Sequence, residues 1–532
     1  MDDCISYAEI SYFSQFIKDY LAQKDQLKTF YHRFPTLDNF KPQLEEKQKN
    51  YPEKYRAVLV SSLQEQYKDI AISEATQENI TALQNNKTYT VTTGHQLNLA
   101  TGPLYFLYKI IAAINLSKQL QETYPEYHFV PVYWMATEDH DFEEINHFHT
   151  ENNTYSWQRK ASGAVGELST EGLEELFTDF AKDVKNSTQG DALIKLLKQA
   201  YAQHNNLADA TRYLVNKLFG EYGLLIIDAN STSLKKLFIP YIEEELLKQT
   251  AIQQITSTTE VLQENGYKAQ VTPRAINLFY LKDNLRERIV LEEGRYNVLE
   301  TNVSFSKEEI ISELYAHPER FSPNVIMRPL YQETILPNLC YIGGGGELAY
   351  WLQLKDYFAT QQISFPILLL RNSALLLTEK QADKLTNLLA TPADIFLPLP
   401  TLLTKKTKAL SEVEIDFSKQ KKHLQQQFND LYKLAEQTDK SFLGAVSAQE
   451  KKQINGLAQL EKRLIKAQKR KYKKELASVN ILHEALFPNK QLQERRLNFS
   501  VFYQVYGDEL IQKLQEHLNP LDLQFTIITL PN

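Results

Sequence analysis

The chain has 532 residues, too many for one ordinary hydrophobic core, so two to four structural units are expected. Hydrophobic residues make up 43% and charged residues 23%, and the net charge of −7 weighs against a general nucleic-acid binder, which carries a basic domain. The two cysteines, Cys4 and Cys340, stand far apart with no CxxC, which excludes a disulfide framework and a cysteine-only zinc site and fits a reducing compartment.

The opening MDDCISYAEI is acidic and lacks the basic and apolar regions of a signal peptide. No apolar run approaches the ~20 residues that cross a bilayer, so a cytoplasmic protein is expected. Residues 1–85 read as helical, with scattered aromatics. KTYTVTTGHQ reads as a strand ended by Gly94. In TGPLYFLYKIIAAINLSKQL, Thr101 is an N-cap candidate, Pro103 suits a first helical turn, and apolar residues run nearly all round, so a buried helix is predicted. HFVPVYWMAT is the next strand. Strand, helix and strand in this order imply a right-handed crossover and a parallel sheet.

Residues 171–220 read as mostly helical. YGLLIIDAN restores a buried strand, and residues 267–301 turn to short β segments, an inserted antiparallel piece. NVIMRPL, LCYIGGGGE and FPILLLRNS read as strand ends or strand–loop junctions of the returning sheet. Residues 86–391 therefore form the expected core, after an N-terminal helical part to residue 85. PADIFLPLPTLL marks a boundary near 392. Beyond it, Leu424, Phe428, Leu431, Ala435, Thr438 and Phe442 step by 4 and 3, as do Leu457, Leu460, Leu464 and Ala467. That spacing predicts an antiparallel coiled-coil arm within 392–490, its two helices joined by a loop at SFLGAVSAQEK with Ser447 as an N-cap. The apolar tail within 491–532 should return to the core.

Three stretches carry chemistry. TTGHQLNLATGPLY places Gly94, His95, Gly102 and Pro103 between a strand and a helix, where free N–H groups can meet an anion; a plain connection with a solvated histidine is the bland alternative. ATEDHDFEEINHF crowds Glu138, Asp139, His140, Asp141 and His147 against a strand end. The group could orient a substrate amine or act as bases, although an acidic first helical turn would explain Glu143 and Glu144 as well. No recognised metal-ligand spacing appears. YIGGGGELAYW sets Gly343, Gly344, Gly345 and Gly346 between two buried elements, where bare backbone and positive φ would let N–H groups converge on a nucleotide. Arg328 and Arg371 each follow an apolar run and call for an anionic partner, either a structural carboxylate or a ligand. The basic run KRLIKAQKRKYKK could touch RNA but reads more simply as a solvated helix face.

The ordered set TTGHQLNLATGPLYFLYKI, VPVYWMATEDHDFEEINHF, MRPLYQETILPNLCYIGGGGELAYW, FPILLLRNS and LQERRLNF resembles the cysteine ligases of bacillithiol biosynthesis, the BshC family, along nearly the whole chain. The resemblance implies an α/β fold: a Rossmann-type doubly wound parallel sheet with connecting-peptide insertions, similar to class I aminoacyl-tRNA synthetases, plus an α-helical coiled coil that makes a homodimer. It implies addition of L-cysteine to the amine of glucosaminyl-malate, with ATP or ADP as the nucleotide, Mg²⁺ accompanying it, no dedicated protein metal site, and neither a membrane nor a nucleic acid as partner. His95, Asp139, His140 and Asp141 become the candidate catalytic residues. Tyr108, Glu138, Asn146, His147, Arg328, Arg371 and Arg495 become substrate contacts. Gly94, Gly102, Pro103, Gly343 to Gly346, Glu347 and Trp351 become nucleotide contacts. The family more often has Gln where this chain has His95, and His where it has Tyr108; a phenol can donate a hydrogen bond there but carries no proton near neutral pH. Two rivals are an RNA-binding or tRNA-modifying protein on the same core and a nucleotide-binding coiled-coil scaffold without turnover.

Overall fold

A computed structural model describes residues 3–389, 391–438 and 440–531. Five apolar stretches form one parallel sheet: β1 Thr88–His95, β2 His128–Met135, β3 Leu225–Asp228, β4 Asn338–Gly343 and β5 Ile367–Leu370. Their order is β5-β4-β1-β2-β3, every pair parallel. All eight residues of β1 are buried, as a strand covered on both faces requires. Its threonines fit because they find acceptors: Thr90 and Thr92 reach Asn338 Oδ1 at 3.2 and 2.8 Å, and Thr93 reaches the Ile342 carbonyl at 2.8 Å. The order changes direction between β1 and β4, and a crevice opens beyond the carboxyl ends of these two strands.

Helix α1, Tyr105–Thr123, crosses from β1 to β2 and is buried along most of its length. Thr101 is not its N-cap: it belongs to a tight turn at Leu99–Thr101 with φ +66°, and its hydroxyl is buried without a partner. The acidic strand end continues into a single turn, α2 Phe142–Ile145. An antiparallel sheet is inserted before β4, made of Leu278–Lys282, Leu285–Glu292, Arg295–Val298, Ser304–Phe305 and Phe321–Pro323. NVIMRPL belongs to no strand of the parallel sheet: it joins Phe321–Pro323 of the inserted sheet to a helix. Asn324 Oδ1 accepts from the Ile326 and Met327 N–H groups and starts helix α3, Met327–Ile335, whose first turn tolerates Pro329.

Residues near the N-terminus are not all helical: Asp3–Ser6 is a strand, paired with Gln524–Leu530, which runs parallel to Ser373–Thr378 on its other side. The arm consists of α5, Ser418–Ala435, and α6, Lys440–Lys471, which run antiparallel; Lys421 meets Glu461 and Tyr432 meets Glu450. The stretch around Ser447 is helix rather than loop, because α6 begins at Lys440. Between α3 and the arm lies α4, Gly345–Leu352, directly after β4. Among the described residues no helix is long and apolar enough to cross a membrane.

Candidate active site

A cleft of about 690 Å³ lies at the carboxyl ends of β1, β2 and β4. The inserted sheet walls one side, and the short helix Gln493–Arg496 contributes Arg495. This is the position in which an open parallel sheet binds ligands.

The acidic strand end divides its residues between the cleft and the fold. Glu138, Asp139 and His140 line the cleft. Glu138 is bound by Lys235, a fully buried lysine that also donates to the Phe321 carbonyl at 2.7 Å. Asp139 accepts from Gln96 Nε2 at 2.8 Å and from the His140 N–H at 2.7 Å. Burial alone would raise the Asp139 carboxyl; contacts with His140 and Gln96 and the nearby Arg286 charge outweigh it and hold the group well below the usual carboxylate range. His140 Nδ1 lies 2.6 Å from Arg286 Nη1. Asp141 turns away: it is the N-cap of α2, accepting from the Glu144 N–H at 3.2 Å, and is no part of the cleft wall.

The glycine run works through closeness, not through unusual backbone. None of Gly343 to Gly346 has positive φ. Gly344 sits at φ −76°, and a Cβ there would meet Glu347 Oε2 at 3.4 Å and Arg371 Nε at 3.8 Å, ordinary contacts. A Cβ on Gly346 would find only Gln270 Nε2, at 3.9 Å. The fold therefore does not demand glycine at either position, and both line the cleft. Gly345 also lines it but packs on Ile17, 2.9 Å from where a Cβ would stand. Gly343 is a packing glycine at the end of β4, with its carbonyl bonded to the Arg371 N–H. Glu347 holds the loop: it accepts from the Gly344 N–H at 2.8 Å, from Tyr341 Oη at 2.6 Å and from Lys109 at 2.5 Å. The N–H groups of Gly345 and Gly346, in the first turn of α4, have no acceptor within the helix.

The arginines also separate. Arg371 lines the cleft, but its guanidinium is committed to Glu494 at 2.7 Å, Ser373 Oγ at 3.0 Å and the Asn372 carbonyl at 2.8 Å. It has the structural carboxylate, which leaves little of it for a substrate. Arg328 donates to two neutral groups, Gln332 Oε1 at 3.0 Å and Tyr350 Oη at 3.3 Å, and lies among the rings of Trp134, Tyr341 and Trp351. Among the described residues neither Arg328 nor Arg495 has a carboxylate at ion-pair distance, although both face the cleft. Gly94 and His95 line it as well. His95 is 9% exposed and its Nε2 has no partner. Burial, then the charges of Lys109 and Arg371, push its pKa well below the ordinary histidine value, so the ring is neutral near pH 7.

Several expected contacts lie elsewhere. Tyr108 is fully buried on the core side of α1 with its hydroxyl unpartnered, so it cannot reach a substrate. Asn146 bonds His147 Nδ1 at 2.9 Å, and His147 starts a small hairpin with Ser156; neither lines the cleft. Gly102 and Pro103 are closed off by the C-terminal segment: Asn498 Nδ2 donates to the Ala100 and Gly102 carbonyls at 2.7 and 2.6 Å, and Pro103 bridges to Asn498. Gly102 is glycine because φ is +68° and a Cβ would stand 2.6 Å from that of Asn98. Trp351 is fully buried, stacked on Tyr341 at 4.6 Å.

Sequence reasoning missed Lys109, Gln96, Tyr105 and Arg286, all of which line the cleft. Lys109 had a signal, a lone lysine inside YFLYKIIAAI. Its ammonium donates to the Gly94 carbonyl at 2.7 Å as well as to Glu347, joining the ends of β1 and β4. Arg286 had none, since its partner is 146 residues away.

Comparison with known proteins gives this architecture a family. A model described as bacillithiol biosynthesis BshC, N-terminal Rossmann-like domain, matches residues 2–372, and one described as its C-terminal coiled-coil domain matches residues 374–530. Proteins named "Putative cysteine ligase BshC" are similar along their length. That of Christiangramia forsetii is 53% identical over 531 residues, 99% of each chain, and that of Flavobacterium johnsoniae 55% over 528 residues, again 99% of each. One from Bacillus cereus is 32% identical over 540 residues, covering 97% of this chain and 98% of the relative. A solved structure named as a putative arginyl-tRNA synthetase from Campylobacter jejuni covers 84% of this chain and 98% of its own at 10% identity, but its TM-score of 0.20 lends no weight to the synthetase likeness. The sheet, the arm and these matches agree that the chain belongs to the BshC family of bacillithiol biosynthesis.

Proposed function

We propose that the cleft joins the carboxyl group of L-cysteine to the amine of glucosaminyl-malate, with ATP as co-substrate. The observation that carries the reading is a pair of cleft arginines without carboxylate partners, Arg328 and Arg495, beside two glycines that packing does not require, Gly344 and Gly346. Guanidinium groups without a counter-charge suit carboxylates and phosphates. The relatives' name supplies the ligase class.

ATP with its Mg²⁺ would supply activation of the cysteine carboxyl. The residues present suit a nucleotide: backbone at Gly344 and Gly346 is open to close approach, and the N–H groups of Gly345 and Gly346 are available to an anion. The turn at residues 99–103 has no such role here, because the Ala100 N–H is spent on Tyr201 Oη at 2.9 Å, the Gly102 N–H on the Leu99 carbonyl at 3.0 Å, and Pro103 has none. Arg328 and Arg495 would hold the malate carboxylates. Asp139, charged at any pH near neutral, would orient an ammonium group, and the neutral ring of His95 is available to take up the proton that the attacking amine must lose. A second copy of the chain would pair through the arm, where Leu431, Leu434, Phe442, Leu443 and Leu460 are exposed.

The test is mass spectrometry of the purified protein with cysteine, glucosaminyl-malate and ATP. Bacillithiol should form with AMP or ADP. No product above a heat-treated control would refute the reading.

A further inference from the structure

The inserted sheet reaches into the cleft through Arg286, on the strand Leu285–Glu292. The side chain is 8% exposed. Its guanidinium carbon lies 3.9 Å from the centre of the Phe279 ring, and the His140 ring lies 5.5 Å from the same centre. Nη2 is 3.5 Å from Ser322 Oγ, and Nε is buried with no partner. Burial lowers its pKa, and the Glu138 and Asp139 carboxylates nearby offset only part of that. The short contact is to His140: Nη1 to Nδ1, 2.6 Å.

A guanidinium has five donors and no acceptor. At 2.6 Å, His140 Nδ1 must therefore be the acceptor, with its lone pair directed at Arg286. The other candidate partner, Asp139 Oδ1, is 3.6 Å from Nδ1, beyond hydrogen-bond reach. A proton on Nδ1 would face an N–H of Arg286. The neutral ring must then carry its hydrogen on Nε2. A ring in that state has no free lone pair: one nitrogen is engaged and the other is protonated. It cannot accept the amine proton, the role that the sequence suggested for it.

We propose that Arg286 is a positioning residue that fixes His140 as the Nε2-protonated neutral imidazole, so that His140 serves the reaction as a hydrogen-bond donor to an anionic oxygen of the substrate and not as its base. What the donor meets rests on the ligase reading; the tautomer does not.

The experiment has two arms. The first is magic-angle-spinning NMR of the sedimented full-length protein, labelled with ¹⁵N-histidine and without substrate, with His140 assigned by its loss in His140→Gln. Wild type should show a single neutral form bearing hydrogen on Nε2, and both Arg286→Met and Arg286→Lys should lose that uniformity. A hydrogen on Nδ1, or a doubly protonated ring, in the wild type overturns the proposal whether or not any variant folds. The second arm is a double-mutant cycle in the bacillithiol assay. His140→Gln and Arg286→Met should each lower kcat/KM by roughly 10- to 100-fold, and the double variant should fall no further than the worse single one. Losses that multiply would make Arg286 a mere anchor of the inserted sheet and refute its positioning role. If wild type shows no turnover, the ligase reading fails, while the NMR arm still decides the tautomer.

Discussion

Around the cleft, the cations of Lys109–Glu347, Lys235–Glu138 and Arg371–Glu494 have side chains at most 4% exposed. Along the arm, Lys433–Asp430 and Lys471–Glu412 stand more than half exposed at both partners. Apolar packing follows the same division. The sheet lies within large buried clusters, whereas the arm buries Phe428, Ala435 and Val446 and packs Leu424 and Tyr432 against them. A buried pair has lost its water and depends on its partner. A surface pair can exchange its partner for solvent. The cleft side is thus built to hold charges at fixed points, and the arm to present a long face at small internal cost.

Breaking one pair on each side tests the contrast most severely. Glu494 accepts from Arg371, from Ser373 Oγ at 3.1 Å and from the Ala374 N–H at 3.0 Å. Glu494→Ala should cost about 3–5 kcal/mol of stability in urea denaturation, since it leaves a buried guanidinium without its counter-charge. Glu412→Ala, at an exposed pair of the arm, should leave the denaturation midpoint almost unmoved. Equal losses would erase the distinction.

The acidic strand end sharpens it at the level of chemistry. Asp139→Asn should lower kcat/KM by roughly 10- to 100-fold, the value of a charge-assisted bond to a substrate amine, with the melting temperature nearly unchanged. Asp141→Asn should change neither, because asparagine caps a helix about as well as aspartate. Parallel losses in both variants would return the whole stretch to a structural role.

On the arm, Leu431 and Leu460 are 41% and 52% exposed. If a second copy covers them, Leu431→Glu with Leu460→Glu should weaken the pairing by about 1.5 kcal/mol for each leucine, and light scattering should show monomers at concentrations where wild type is dimeric. An unchanged dimer would place the contact elsewhere.

A modest, pH-dependent effect is expected where His149 meets Arg496. Burial, then the Arg496 and His147 charges, lower the pKa of His149 to about 4, and Arg496 Nη1 lies 2.7 Å from its Nε2. Unfolding restores an ordinary value near 6.5, so the unfolded chain binds the extra proton first. The contribution of His149 is complete above about pH 6.5 and lost as pH falls towards 4. Replacing it by Gln should flatten stability across that window in urea titrations, and a slope identical to wild type would argue against the linkage. The effect is modest because the ring is partly open to solvent.

The strands of the parallel sheet could be read from the sequence because TYTVTT, VPVYW and LLIID are continuous apolar or β-branched runs, and the arm because Leu424, Phe428 and Ala435 keep a seam spacing. Local signals failed where a distant partner decides. Thr101 looks like a cap, but Asn498 pins the turn around it into left-handed backbone. NVIMRPL looks like a strand until Asn324 caps it as a helix. Arg371 calls for an anionic partner of either kind, and only Glu494, 123 residues on, shows that a structural carboxylate takes that place. Tyr108 stands at a position the family resemblance marks for substrate, yet its place on α1 turns it into the core.

That same span sets a schedule for synthesis. Arg371 emerges 123 residues before the carboxylate that neutralises it. At about 5–20 residues per second, translation leaves it waiting roughly 6–25 s. During that interval the chain has a nascent parallel sheet with a cation at its edge and the whole arm still to come. A ribosome that stalls within the arm therefore displays a parallel sheet with an incomplete cleft, its Arg371 guanidinium still held by water in place of Glu494.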